Sequence, residues 1–105
     1  MIGYINYSQS NQRMGFATAG TGRMYILSSG NVGIGTSSPI TTLDIARGVS
    51  GVSSVNARTV ALFQNSNSAG ATIAINGKNT GYSGIFFGDQ DSETTGQIQF
   101  DHTTN

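Results

Sequence analysis

Few side chains here have a type and spacing that could do chemistry. His102 is the only histidine, and it lies in a polar run with no serine, cysteine or second histidine beside it in sequence. It therefore reads as a turn residue and not as half of a nucleophile–base pair. Asp89, Asp91 and Glu93 alternate and could offer oxygens to Ca²⁺, but Thr94 stands where a calcium loop needs Gly and Phe100 where it needs Glu, so they read as a solvated acidic turn. The runs Gly20-Thr21-Gly22 and Gly33-Ile34-Gly35 complete neither G-x-G-x-x-G nor a P-loop and read as turns or close backbone contacts. Asn6-Tyr7-Ser8 fits a glycosylation acceptor but falls inside an expected strand. Hence no catalytic, cofactor or metal residue is assigned, and an enzyme is not expected. The residues left for surface recognition are Tyr4, Tyr25 and Tyr82, which fall off the apolar stripes. Tyrosine beside Asn, Gln and Ser can stack on sugars, hydrogen-bond to them, or pack across a subunit interface.

The elements that must position these residues are short strands. Of the 105 residues, 36% are hydrophobic and 10% charged, against about 25% charged in an ordinary domain. Five basic and five acidic residues cancel, so nothing draws the chain to a phosphate backbone or an anionic membrane, and no nucleic-acid partner is expected. There is no cysteine and no run of about 18 apolar residues, so neither disulfides nor a membrane-spanning helix is expected. With a core this thin, oligomerisation is the remaining source of stability.

Alternation with period two recurs along the chain. Ile5 and Tyr7, Met14 and Phe16, Met24 and Ile26, Val32 and Ile34, and Leu43 and Ile45 each share one face of a predicted strand. Further strands are expected over Arg58–Gln64, Ala71–Ile75, Gly84–Gly88 and Gly96–Phe100, with a turn at Asn76-Gly77. The segment Gly48–Asn56 reads as a loop. The centre of the pattern is Gly30-Asn31-Val32-Gly33-Ile34-Gly35-Thr36-Ser37-Ser38-Pro39, where glycines leave one strand face bare and Pro39 ends the ladder. That bare face is expected to let another backbone come close.

Gly96-Gln97-Ile98-Gln99-Phe100-Asp101-His102-Thr103-Thr104-Asn105 lines up with Gly3-Tyr4-Ile5-Asn6-Tyr7-Ser8-Gln9-Ser10-Asn11, given one residue of slack. This implies a repeat of roughly ninety residues. Residues 1–105 then read as one fragment of a longer array, with 1–39 ending one unit and 40–105 beginning the next.

The run Gly30–Pro39 followed by Leu43-Asp44-Ile45 resembles the motif G-N-V-G-I-G-T-x-x-P…L-D-V/I of bacteriophage tail fibres and related adhesin-like fibre proteins. Met14-Gly15-Phe16, Arg23-Met24-Tyr25-Ile26 and Gly96–Asn105 are similar to the strands that accompany that motif, with Phe100 where the family often has Tyr. The resemblance implies an all-β, elongated homotrimeric fibre, an intertwined β-prism or triple β-helix-like shaft of short strands and Gly/Ser/Asn turns. In such a fibre the glycines of Gly30–Pro39 would let chains cross closely near the common axis. Such shafts often precede a self-cleaving chaperone domain, of which no segment here has the look. Its trimer core would be Ile5, Met14, Phe16, Met24, Ile26, Val32, Ile34, Leu43, Ile45, Ile73, Ile75, Ile98 and Phe100. The expected function is a structural segment of the virion tail fibre, extracellular, that spaces and presents a host-receptor-binding tip. Its partners would be two further copies, neighbouring fibre segments and, through the whole fibre, a host-surface glycan or protein. The alternative is a carbohydrate-binding module that recognises host glycan directly. A depolymerase would need carboxylates converging on a groove, and Asp89, Asp91 and Glu93 are merely adjacent.

Overall fold

The structure, a computed structural model, describes residues 2–103. Eight strands and no helix are found among the described residues, so the chain is all-β, as its alternation predicts. Two compact units divide between Thr72 and Ile73. The repeat division expected at 39/40 concerns sequence and does not coincide with this spatial one.

The first unit is a six-stranded sheet in the order β1-β2-β3-β4-β5-β6. Strands β1 (Gly3–Ser8), β2 (Arg13–Thr18), β3 (Thr21–Ile26) and β4 (Val32–Ile34) form an antiparallel meander. Strands β5 (Leu43–Arg47) and β6 (Ala61–Asn65) then add in parallel. Ala19 and Gly20 join β2 to β3 with φ of 48° and 72°. Two positive φ values give a turn whose twist matches the flanking strands. The turn expected at Gly20-Thr21-Gly22 thus begins earlier, and Thr21 and Gly22 belong to β3.

Parallel neighbours need connections that cross one face of the sheet, ordinarily a dozen or more residues long. The link between β4 and β5 is shorter, and it packs close to the sheet because Gly33 has no side chain in its way. A Cβ on Gly33 would meet the Thr36 carbonyl oxygen and, at 3.2 Å, Pro39 Cδ. Gly35 has φ of 77°, and a Cβ there would strike the Ala46 carbonyl. The Asn31 side-chain amide donates to the Pro39 carbonyl at 3.4 Å and ties the two ends of the motif together. The expectation that these glycines admit another chain is therefore corrected: this chain's own crossover occupies the space at Gly33 and its β5 backbone the space at Gly35. Gly15 and Gly22 are likewise covered from within, by the ring of Tyr25.

Three local expectations also change. The ladder of β6 begins at Ala61 because Asn56 to Thr59 form a turn, with Thr59 N–H donating to the Asn56 carbonyl at 2.9 Å. No strand forms over Ala71–Ile75. Alternation there assigns faces but supplies no backbone partner among the described residues. The turn expected at Asn76-Gly77 lies instead at Lys78–Gly81, closed by Gly81 N–H to the Lys78 carbonyl at 2.9 Å.

The second unit holds an antiparallel hairpin of β7 (Tyr82–Phe87) and β8 (Gly96–Asp101). Its acidic turn is organised by Asp89, whose Oδ1 accepts the N–H groups of Asp91 and Ser92, each at 3.0 Å.

Candidate functional site: the apolar face of the sheet

The strand register brings most of the expected trimer-core residues into two unbroken rows. Ile5, Phe16, Met24, Ile34, Ile45 and Phe63 lie opposite one another across all six strands. Beside them run Tyr7, Met14, Ile26, Val32, Leu43 and Ala61. Successive residues of a strand point to opposite faces, so both rows stand on one face. None of these side chains is buried within the chain: Ile5 is 70% exposed, Tyr7 59% and Ile34 41%. Six strands at about 4.8 Å by five residues at about 3.3 Å give this face a footprint on the order of 450 Å².

The opposite face is the covered one. Its buried positions include Gly15, Ala17, Gly33, Asp44, Ala46 and Gln64, with Tyr25 over Gly15 and the crossover residues Thr36 and Pro39 over Gly33. Ala17 and Ala46 are the buried hydrophobic residues there, so polar bonds do much of the holding. Asp44 is 0% exposed. Its carboxyl accepts from Gln64 Nε2 at 2.7 Å and from the Ile40 N–H at 3.4 Å. Gln64 Oε1 in turn accepts from Ser50 N and Oγ at 3.0 and 3.1 Å, pinning the β5–β6 crossover. The Asp44 side chain satisfies a crossover N–H and a β6 side-chain amide that burial would otherwise leave unpaired.

Phe63 and Tyr7 complete the rows yet were absent from the expected core. Val60-Ala61-Leu62-Phe63 is apolar at four successive positions, so alternation gives no parity there, and only the pairing of Ile45 with Phe63 decides it. Tyr7 shows its place by spacing from Ile5. The remaining core candidates belong to the second unit. Ile98 pairs with Ile85, while Phe100 pairs with Ser83. Ile75 and the two β8 residues line one shallow hollow, and Ile73 is exposed outside any strand.

The tyrosines separate. Tyr4 and Tyr25 line one cleft of about 150 Å³ on the covered face, with Asn6, Ser8 and Arg13. Tyr25 is half-buried, and its ring lies 4.6 Å below the Arg13 guanidinium, so it acts as a packing element as much as a free surface. Tyr82 is exposed in the other unit, its ring centroid 6.3 Å from that of Phe86.

His102 has the serine partner that sequence adjacency did not show. Its Nε2 lies 2.9 Å from Ser83 Oγ, across the open end of the β7–β8 hairpin. The Phe100 ring packs edge-on against it at 5.1 Å. A triad also needs a group orienting the second ring nitrogen and donors for an oxyanion. The neighbouring carboxylate, Asp101, is turned to Thr103, accepting from its hydroxyl at 2.6 Å and its N–H at 2.8 Å. These bonds, the hydroxyl's first, hold the Asp101 carboxyl below its usual 3.8. No group of three or more His, Cys, Asp or Glu side chains able to hold a metal ion is found among the described residues.

In comparisons with family models, curated proteins and solved structures, nothing matches this chain.

Proposed function

We propose that the chain is a structural segment of a bacteriophage tail fibre, in which three copies close their apolar faces on a common axis and carry a receptor-binding tip. One observation carries this reading: two apolar rows cross six strands on one face, and Ile5, Tyr7, Met14, Ile34 and Phe63 within them stay exposed in the single chain. A sheet face of this size and composition is expected to be buried in the working assembly. Second copies are the cover favoured by the Gly30–Pro39 motif and its resemblance to fibre shafts. Three copies per fibre, and several fibres per particle, would also turn weak surface contacts into useful avidity.

Sedimentation equilibrium of the full chain tests the reading, with three times the chain mass expected. A chain that stays monomeric at high concentration would overturn it. The second reading, direct glycan recognition, is favoured by the cleft of Tyr4, Tyr25, Asn6, Ser8 and Arg13. A glycan array separates the two, since a folded oligomer that binds no sugar excludes the binding module and leaves the fibre reading standing.

A further inference from the structure

β1 and β8 are built alike. Each has six residues, with Gly3, Ile5 and Tyr7 in the first matching Gly96, Ile98 and Phe100 in the second. Their backbones are used in opposite ways. Gly35 N–H donates to the Arg23 carbonyl and Leu27 N–H to the Asn31 carbonyl, so the odd residues of β3 face β4. Antiparallel pairs alternate between bonded and non-bonded. The even residues of β3 therefore bond to Met14 and Phe16, leaving Arg13, Gly15 and Ala17 to bond to β1. In β1, then, Tyr4, Asn6 and Ser8 serve β2, while Gly3, Ile5 and Tyr7 present their backbone groups at the open edge. In the hairpin, His102 N–H donates to the Gly81 carbonyl, and the same alternation directs Gly96, Ile98 and Phe100 to β7. The open edge of β8 is formed by Gln97, Gln99 and Asp101. Each strand thus leaves free the edge that the other uses.

We propose that β8 is a second β1, and that β8 of one copy replaces β1 on β2 of another copy, bringing β7 with it as an added strand. The occupant of the open β8 edge is the Arg13–Thr18 strand of that second copy. The register places Ile98 opposite Phe16 and Phe100 opposite Met14, and it brings Ile85 beside Ile98 at the end of the longer apolar row. Asp101 takes the place of Ser8 opposite Arg13, so an opposite-charge pair replaces one in which Arg13 faces an uncharged hydroxyl. This goes beyond the fibre reading by naming the strands that join copies end to end, and it rests on the same sequence repeat.

The chain has no native cysteine, which permits a disulfide test. Full-length Met14→Cys and Phe100→Cys variants are unfolded, mixed, refolded and oxidised. Positions 14 and 100 would form a non-bonded pair with Cα atoms about 4.5 Å apart, within disulfide range. The tethered β1 competes at an effective concentration on the order of millimolar, so the chains are refolded as concentrated as possible. The mixed disulfide is expected to exceed that of Met14→Cys with Gln99→Cys, whose side chain points to the other face, by about tenfold. Adding Ile5→Asp to the Met14→Cys chain weakens its own β1 and should raise the yield. Phe16→Cys with Ile98→Cys tests the same register should the first pair fold poorly. Equal yields with Gln99→Cys, or association without either in-register disulfide, as when the open edges of β1 and β8 pair directly, would overturn the proposal. A trimeric mass without these disulfides removes the strand replacement and leaves the fibre reading intact.

Discussion

Replacing Ile34 by alanine removes the side chain between Met24 and Ile45 in the longer apolar row. Complete burial of an isoleucine stabilises by about 1.5–3 kcal/mol. Since 41% of Ile34 is exposed in the single chain, covering the face adds about 0.6–1.2 kcal/mol per copy, while the rest already stabilises the chain itself. Three copies together would lose about 1.8–3.6 kcal/mol of assembly free energy, a roughly 20- to 400-fold weaker association. Ile34→Asp adds the desolvation of a carboxylate, several kcal/mol for each copy, and should leave only monomer. Sedimentation equilibrium reads the association, and urea unfolding of dilute monomer reads chain stability. Asn6→Ala, on the opposite face, is the control and should leave the association unchanged. A loss of chain stability with no change in association for Ile34→Ala would show that this face meets no second copy.

Asp44→Ala leaves the Gln64 amide donors and the Ile40 N–H without their acceptor, so it should cost about 1–3 kcal/mol in urea unfolding, with Gln64→Ala partly redundant in a double-mutant cycle. Gly35→Ala places a Cβ at positive φ and against the Ala46 carbonyl, so it should destabilise the monomer by more than about 1 kcal/mol; an unchanged thermal midpoint would count against the crossover packing. Asp101 has its carboxyl pKa lowered below 3.8 by the Thr103 hydroxyl and N–H. A lowered folded pKa means that its contribution is complete above 3.8 and is lost as pH falls through the folded value. A carboxyl NMR titration should therefore show a midpoint below 3.8 that moves upward in Thr103→Ala, and a midpoint that does not move would refute the assignment.

Much of the apolar face was legible in the sequence. The pairs Met14 and Phe16, Met24 and Ile26, Val32 and Ile34, and Leu43 and Ile45 each announce a common face, because side chains alternate along any strand. The repeat of Gly3–Asn11 in Gly96–Asn105 was equally plain. Period alone, however, does not say which face the chain will cover. Glycines opposite the apolar rows read as room for another chain, and that room is filled by Thr36, Pro39 and the ring of Tyr25.

What the sequence by itself determined, then, is the all-β character, the positions of most strands and which side chains stand together along each. Tertiary structure decided the rest. Parallel placement of β5 and β6 forces two crossovers over one face, and that choice buries Asp44 and exposes Ile5 and Ile34. Pairing register, a long-range property, settled the side on which Phe63 lies and brought Ser83 to His102. A strand's alternation is local and can be read from neighbouring residues; its partner, and the loop that must pass over it, are fixed only when distant segments meet.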